Sequence, residues 1–242
     1  MIRNAGYFMM GNSQLWKDCV AYFKLDETSG TTVIDSVSGN NGTNNGATVN
    51  VAGKINRAYS FTVNDYVNID AVLTPLSSAT QGTWTAWVKP VDATPSSGKQ
   101  LITFGNAATN TYLTLFIRGT TGTLRALAVD GSAPKYDVAT DDSLFSDNTW
   151  AHIALVQNGV SPVLYVNGVA VSQTVSGLDQ AYWINSFSVL DTARLACLDY
   201  NGGGNQFFHD GEIDEVGFWI RALSATEIAY IYNSGNGKTY PS

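Results

Sequence analysis

The segment Glu212-Ile213-Asp214-Glu215-Val216 puts three carboxylates into five residues, and paired carboxylates can cleave glycosidic bonds. A retaining glycosidase holds two carboxyl groups about 5–5.5 Å apart across the sugar. On a regular strand, residues i and i+2 share a face. Glu212 and Asp214 therefore point one way, Glu215 points the other, and the third position on the first face is Val216. Only a bulge would re-aim Glu215. Asp137, Asp141, Asp142, Asp191 and Asp199 are scattered, with no spacing that ranks one above another. The expectation is a protein without catalytic residues.

Other chemistries leave thinner traces. Calcium takes about six to eight oxygen ligands, and Asp35, Asn40 and Asn41 stand in a loop crowded with such oxygens. The same residues also make Asx turns. His152 and His209 are the only histidines, and His152 lies inside an apolar run that reads as structural. Cys19 and Cys197 are the only cysteines. They form neither a disulfide framework nor a metal spacing, and they read as two small buried thiols, with a bridge left open. Phosphate loops and basic–aromatic stripes are absent. Sugar recognition needs exposed rings. Tyr136, Trp183, Tyr200, Phe207 and Phe208 fall in irregular segments, and Tyr182-Trp183 is the pair selected as a ligand contact. Any single ring is more readily explained by core or inter-sheet packing. Trp84, Trp87, Trp150 and Trp219 are assigned to the core.

The elements that must position these groups are strands. The chain has 242 residues, 44% hydrophobic and only 14% charged. That composition suits one globular domain with a large core. Val20–Leu25, Tyr59–Val63, Thr83–Lys89, Tyr112–Ile117, Leu124–Val129 and Trp150–Gln157 read as strands. Trp84, Ala86 and Val88 face one side of theirs, and Thr85, Trp87 and Lys89 the other. Asn167-Gly168 closes a hairpin, because a type I′ turn needs positive φ at both central residues. Ser186–Leu190 and Gly211–Trp219 complete about a dozen strands, while Asp26–Gly46 has loop composition. Ser224-Ala225-Thr226-Glu227 is a capping box that starts a helix of about ten residues, with Leu223 and Ile228 placed for a staple and Gly235 as the left-handed stop. With no alternation of strands and helices, the expected fold is all-β: two antiparallel sheets face to face, with one short C-terminal helix.

A net charge of −7 disfavours nucleic acid and anionic membranes. No run is long enough to span a membrane as a helix, and Met1–Trp16 lacks a signal-peptide core. The expectation is a chain made without a leader, working on a virion or extracellular surface, or otherwise in the cytoplasm.

Several short markers occur in order: Tyr22-Phe23-Lys24-Leu25-Asp26-Glu27, Asp35-Ser36, Gly39-Asn40-Asn41-Gly42, Tyr59-Ser60-Phe61, Trp84-Thr85-Ala86-Trp87-Val88, Trp150-Ala151-His152, Leu164-Tyr165-Val166-Asn167-Gly168 and Gly211-Glu212-Ile213-Asp214-Glu215-Val216 with Arg221-Ala222-Leu223-Ser224. This set resembles the laminin-G-like jelly roll of the concanavalin A-like lectin/glucanase superfamily over residues 18–237. The domain is taken as 18–242, and residues 1–17, outside the resemblance, read as an arm preceding it. The resemblance implies a structural Ca2+ held by Asp35, an Asn40 or Gly42 carbonyl, and Asp214. It implies a non-catalytic recognition or adhesion module that binds a glycan or cell-surface polysaccharide. Residues 1–17 would tether it to neighbouring virion subunits, as in a phage head-decoration, fibre or tail protein. The alternatives are a glycan-active hydrolase or lyase of the same superfamily, and a scaffold without a ligand.

Overall fold

A computed structural model describes residues 12–241. Two large antiparallel sheets lie face to face. One has the order Val169–Ala170, Pro162–Val166, Ala151–Gln157, Gly82–Pro90, Gly211–Trp219, Arg57–Phe61, Thr48–Ala52, with Cys19–Phe23 also paired to Gly211–Trp219. The other runs Gln173–Ser176, Ala133–Thr140, Leu124–Asp130, Tyr112–Ile117, Lys99–Gly105, Thr192–Leu195, Tyr66–Asn68, Gly42–Asn45, Thr32–Val33. These are an eight-stranded and a nine-stranded sheet. Among the described residues no helix is long and apolar enough to cross a membrane.

Alternation along the strands builds the core. Trp84, Ala86 and Val88 point between the sheets with Leu113, Leu115, Ile117 and Phe218. The Trp84 ring lies 4.7 Å from Phe104 and 5.4 Å from Trp183. Trp87 points outward and is still buried, stacked 5.7 Å from Tyr232. It is covered because the Ala225–Tyr232 helix caps the outer face of the eight-stranded sheet. There Ile228 and Ile231 join Leu15, Tyr22, Ala154, Trp219 and Leu223 in a second apolar cluster. Trp150 alone among the four expected core tryptophans stays partly exposed.

The capping box forms as read: Ser224 Oγ accepts from the Glu227 amide at 3.3 Å, and Glu227 Oε2 accepts from the Ser224 amide at 2.8 Å. Leu223 and Ile228 are both buried in the second cluster. The helix has eight residues and stops at Asn233, whose φ of 51° makes the left-handed cap two residues before Gly235. The hairpin turn has φ of 50° at Asn167 and 82° at Gly168.

Three expectations change. Ser186–Leu190 is not a strand; a 3-10 turn covers Ile184–Ser186, and the sheet takes Thr192–Leu195 instead. Short polar strands, Thr32–Val33 and Gly42–Asn45, lie inside the loop-like stretch. Finally, the arm's last residues belong to the domain. Leu15 is buried, its carbonyl accepts from Trp219 Nε1 at 3.0 Å and Arg221 Nη2 at 2.9 Å, and Trp16 stacks on Trp219 at 5.7 Å. Residues 1–11, the rest of the tether reading, lie outside the described residues. Cys19 and Cys197 are both buried and unbonded, because the first strand pairs with Gly211–Trp219 rather than near Cys197.

Candidate functional site

Among the described residues the eight-residue helix packs on the other sheet and leaves the outer face of the nine-stranded sheet uncovered by it. On Tyr112–Ile117, Leu113, Leu115 and Ile117 enter the core, so Tyr112, Thr114 and Phe116 point outward. By the same alternation Arg125, Leu127 and Val129 face out from the next strand, and Asp137 from the one after. Arg125 sits opposite Ala139, and Leu127 opposite Asp137. Arg125 and Asp137 are therefore diagonal neighbours, within reach of long side chains. The guanidinium grips the carboxylate bidentately, Nε to Oδ1 at 2.6 Å and Nη2 to Oδ2, and lies 5.6 Å over the Phe116 ring. Tyr112, Arg125, Leu127, Asp137, Asn110, Ser132 and neighbouring backbone line an open concavity of about 350 Å³.

A second concavity of about 200 Å³ adjoins it, sharing Tyr112 and Leu127 and adding Gln100, Tyr200 and Phe207. Tyr200 and Phe207 come from the lobe around the Leu198–Asp199 and Asn205–Gln206 strands, which folds over the sheet. Tyr200 meets Tyr112 edge-on at 5.2 Å, and Phe207 is 42% exposed. Burial and the Tyr200 hydroxyl raise the Tyr112 pKa. Further along, Arg194 lies 5.8 Å over Tyr66 and bridges Asp70 and Asp199, the latter at 3.2 Å. The arrangement offers ring faces and edges, a guanidinium–carboxylate fork and amide and hydroxyl groups. It offers no nucleophile–base pair.

The carboxylates of the closing strand sit elsewhere, on the outer face of the eight-stranded sheet. The register of Gly211–Trp219 against Gly82–Pro90 slips between Asp214 and Gly217, and Glu215 has φ of 53°. This bulge brings Glu215 to the side of Asp214, correcting the expectation from simple alternation. Neither group can reach a substrate, with exposures of 0% for Asp214 and 2% for Glu215. Asp214 Oδ2 accepts from the Ile55 amide at 2.9 Å. Asp214 Oδ1 and both Glu215 oxygens have no partner at full hydrogen-bond geometry, although Tyr22 and Thr239 stand beside Glu215. Burial pushes the Asp214 pKa up to about 9, with the Glu215 charge adding to it. Burial likewise pushes Glu215 up to about 7, against the opposing pull of nearby Tyr22, Thr239 and Lys24. Glu212 instead pairs with Lys89 at 2.8 Å.

Of the four residues read as calcium ligands, Asp35 and Asn40 meet and Gly42 follows at the end of the same loop, but Asp214 stands apart. Phe23 bridges Asp35 on one edge and pairs with Val216 on the other. The first strand thus stands between Asp35 and Asp214, a separation of about two strand spacings, or roughly 9–10 Å. One calcium reaches ligands only about 2.3–2.6 Å away. Gly42 belongs to the opposite sheet. Asp35 is also saturated: its carboxylate accepts the amides of Tyr22, Val37, Ser38 and Asn40 at 2.9–3.2 Å, and the Ser38 hydroxyl at 2.9 Å. A carboxylate has about four lone-pair sites. With the Asp35 acceptor capacity taken up and Asp214 on the far side of a strand, the four residues do not form one coordination sphere. We expect EDTA to leave the melting temperature unchanged; a fall of several degrees, reversed by Ca2+, would contradict this.

Tyr182 and Trp183 are not surface rings. Trp183 is fully buried beside Trp84, and a Cβ on Gly82 would come within 2.8 Å of its Nε1. Tyr182 is 8% exposed, its hydroxyl 2.5 Å from Asp130 Oδ2 and 2.6 Å from the Ser186 carbonyl oxygen. Neither has a face free for a sugar. Tyr136 is buried as well. Of the rings noted in irregular segments, Tyr200 and Phe207 line the sheet-face concavity. Tyr112 was passed over as part of a strand, although its i, i+2 relation to Thr114 and Phe116 marks an outward face.

No curated protein sequence matches the chain significantly. Solved structures resemble it at the level of fold. One is NanB sialidase from Streptococcus pneumoniae, with a TM-score of 0.62 and 22% identity over 72% of this chain, which spans only 27% of that one. Another is the CBM40 module of the Ruminococcus gnavus IT-sialidase, with a TM-score of 0.57 and 15% identity over 79% of this chain and 96% of the module. That module has also been solved bound to α2,3-sialyllactose. A sequence profile of the laminin-G type, described as the concanavalin A-like lectin/glucanases superfamily, matches residues 61–229. Order of strands, two-sheet core and profile agree: the chain belongs to the laminin-G-like family of the concanavalin A-like lectin/glucanase superfamily.

Proposed function

We propose that this protein is a non-catalytic glycan-binding module that uses the outer face of its nine-stranded sheet. The observation that carries this reading is the grouping of the Tyr112 and Tyr200 rings beside the Arg125–Asp137 fork in an open concavity. Pyranose rings have apolar faces that stack on aromatic rings, and hydroxyl pairs that match a polar fork. The closing-strand carboxylates Asp214 and Glu215 support a non-catalytic role, because both are buried rather than aimed into a cleft.

Replacing Tyr112 by Ala is expected to weaken glycan binding about tenfold, or about 1.4 kcal/mol, with a smaller effect on the melting temperature than a core truncation, because the ring lies on the outer face outside the two core clusters. Calorimetry on the glycan bound most strongly in an array measures it. Retained affinity would remove this face from the binding reading, and an array with no signal would favour the scaffold. Turnover of any polysaccharide in a panel would favour the enzyme. The virion reading rests on residues 1–17, of which Leu15 and Trp16 are engaged by their own domain.

A further inference from the structure

We infer, resting on the glycan reading above, that the sheet face selects uncharged sugars carrying adjacent hydroxyls and rejects sialylated and other anionic ones. The reason is where the charges already are. A sugar carboxylate needs a guanidinium whose charge is not already neutralised. Arg125 has given its Nε and Nη2 to both oxygens of Asp137. Arg194, only 7% exposed, has given Nη1 to Asp70 and the Ala193 carbonyl and Nη2 to Asp199. A third arginine, Arg118, stands at the end of the face in a separate concavity with Asp141 and Asp142. Arg125 and Arg194 are thus each ion-paired, Arg118 shares its concavity with two carboxylates, and the five aspartates named outnumber these three arginines.

An anionic sugar placed against Tyr112 would meet Asp137 as well as Arg125. Juxtaposing like charges is how a binding surface turns a partner away. A neutral pyranose meets the opposite situation. The Arg125 Nη1 donors have no partner on Asp137, and the carboxylate oxygens keep acceptor capacity, so the fork can give to one hydroxyl and take from its neighbour. The floor of Leu127, Val129 and Pro134 is apolar, as a sugar face requires. The solved CBM40 module bound to sialyllactose shares this fold, so the two-sheet architecture does not by itself decide between neutral and anionic ligands; the charged pairs on this face would decide it.

The test is a glycan array that displays each sialylated structure beside its asialo parent, probed with the full chain. The expected result is binding to at least one neutral glycan, at least tenfold stronger than to its sialylated counterpart. A ratio near one, or in favour of the sialylated form, overturns the charge argument and leaves glycan binding standing. Silence across neutral and anionic glycans alike overturns the glycan reading itself. Asp137→Asn keeps the shape and frees Arg125, and it is expected to move the sialylated-to-asialo ratio up at least tenfold; an unmoved ratio overturns the assignment to this pair. Should that variant not fold, the wild-type ratio at low and high ionic strength decides. Discrimination that relaxes as salt screens the carboxylates supports the inference, and discrimination indifferent to salt overturns it.

Discussion

Replacing Asp35 by Ala is expected to cost about 3–5 kcal/mol of stability, which lowers the melting temperature by about 10–15 °C for a chain of this size. The cost comes from what the carboxylate holds. Four backbone amides and one hydroxyl converge on it, and one of those amides, Tyr22, belongs to the first strand. The loop's turn and its docking on the sheet edge thus depend on one side chain. Removing it leaves several partly buried donors without an acceptor, and each unsatisfied group carries a desolvation cost of about 1–3 kcal/mol. Asp35→Asn keeps one oxygen and should fall between wild type and Ala. Because no ion is needed in this account, the loss should be the same with or without chelator. An Ala variant melting within two or three degrees of wild type would show that the loop is held by something else.

The second large effect is on pH dependence. Asp214, at about 9, and Glu215, at about 7, hold protons in the folded state that they release when unfolded above about pH 4. Their contribution is therefore fully present at low pH and is lost as pH rises through the folded values. His152 and His209 act in the opposite sense. Both are wholly buried, and burial lowers each to about 3. They stay neutral in the fold and take up protons on unfolding below about pH 6.5, so their contribution is lost on acidification. Between about pH 4.5 and 6.5 the two slopes oppose each other and stability is nearly flat. Above that the histidines are silent and only the carboxylates act, at up to about 1.4 kcal/mol per pH unit for each proton.

From pH 7 to 9 the melting temperature should accordingly fall by about 5–10 °C. The charged and titratable groups around the pair, Tyr22, Lys24, Asp26 and Lys54, do not reverse the direction. Asp214→Asn, a neutral isostere, should remove most of the alkaline fall and match or exceed wild type at pH 9. Thermal melts across the range decide it, and a wild-type curve that is level or rising from pH 7 to 9 would refute the buried acid pair.

What the chain discloses about itself depends on how local the cause is. The Gly82–Pro90 strand, the Asn167-Gly168 turn and the Ser224 cap are each determined within a few residues, and they stand where the sequence places them. Thr32–Val33 and Gly42–Asn45 were hidden because short, polar strands at a sheet edge have the composition of loops. The Glu215 bulge is hidden for another reason. It reconciles the pairing of one strand with two neighbours at once, Phe23 against Val216 and Trp87 against Asp214, and neither partner is near in sequence.

The sheet-face site is also non-local. Tyr112, Arg125, Asp137 and Tyr200 come from four segments joined only by register. Trp183 misled because a short irregular segment suggests exposure, whereas Gly82, far away in sequence, leaves the space that lets the indole sink into the core.

The Gly211–Trp219 strand lies in the middle of its sheet although it is the last to be made, and it pairs with Cys19–Phe23, Arg57–Phe61 and Gly82–Pro90. Until it has been synthesised, each of those three earlier strands lacks one of its partners. Open edges are the places where nascent chains pair with one another. Closing this sheet therefore depends on pairings between segments far apart in the sequence, which form more slowly than pairings between neighbours.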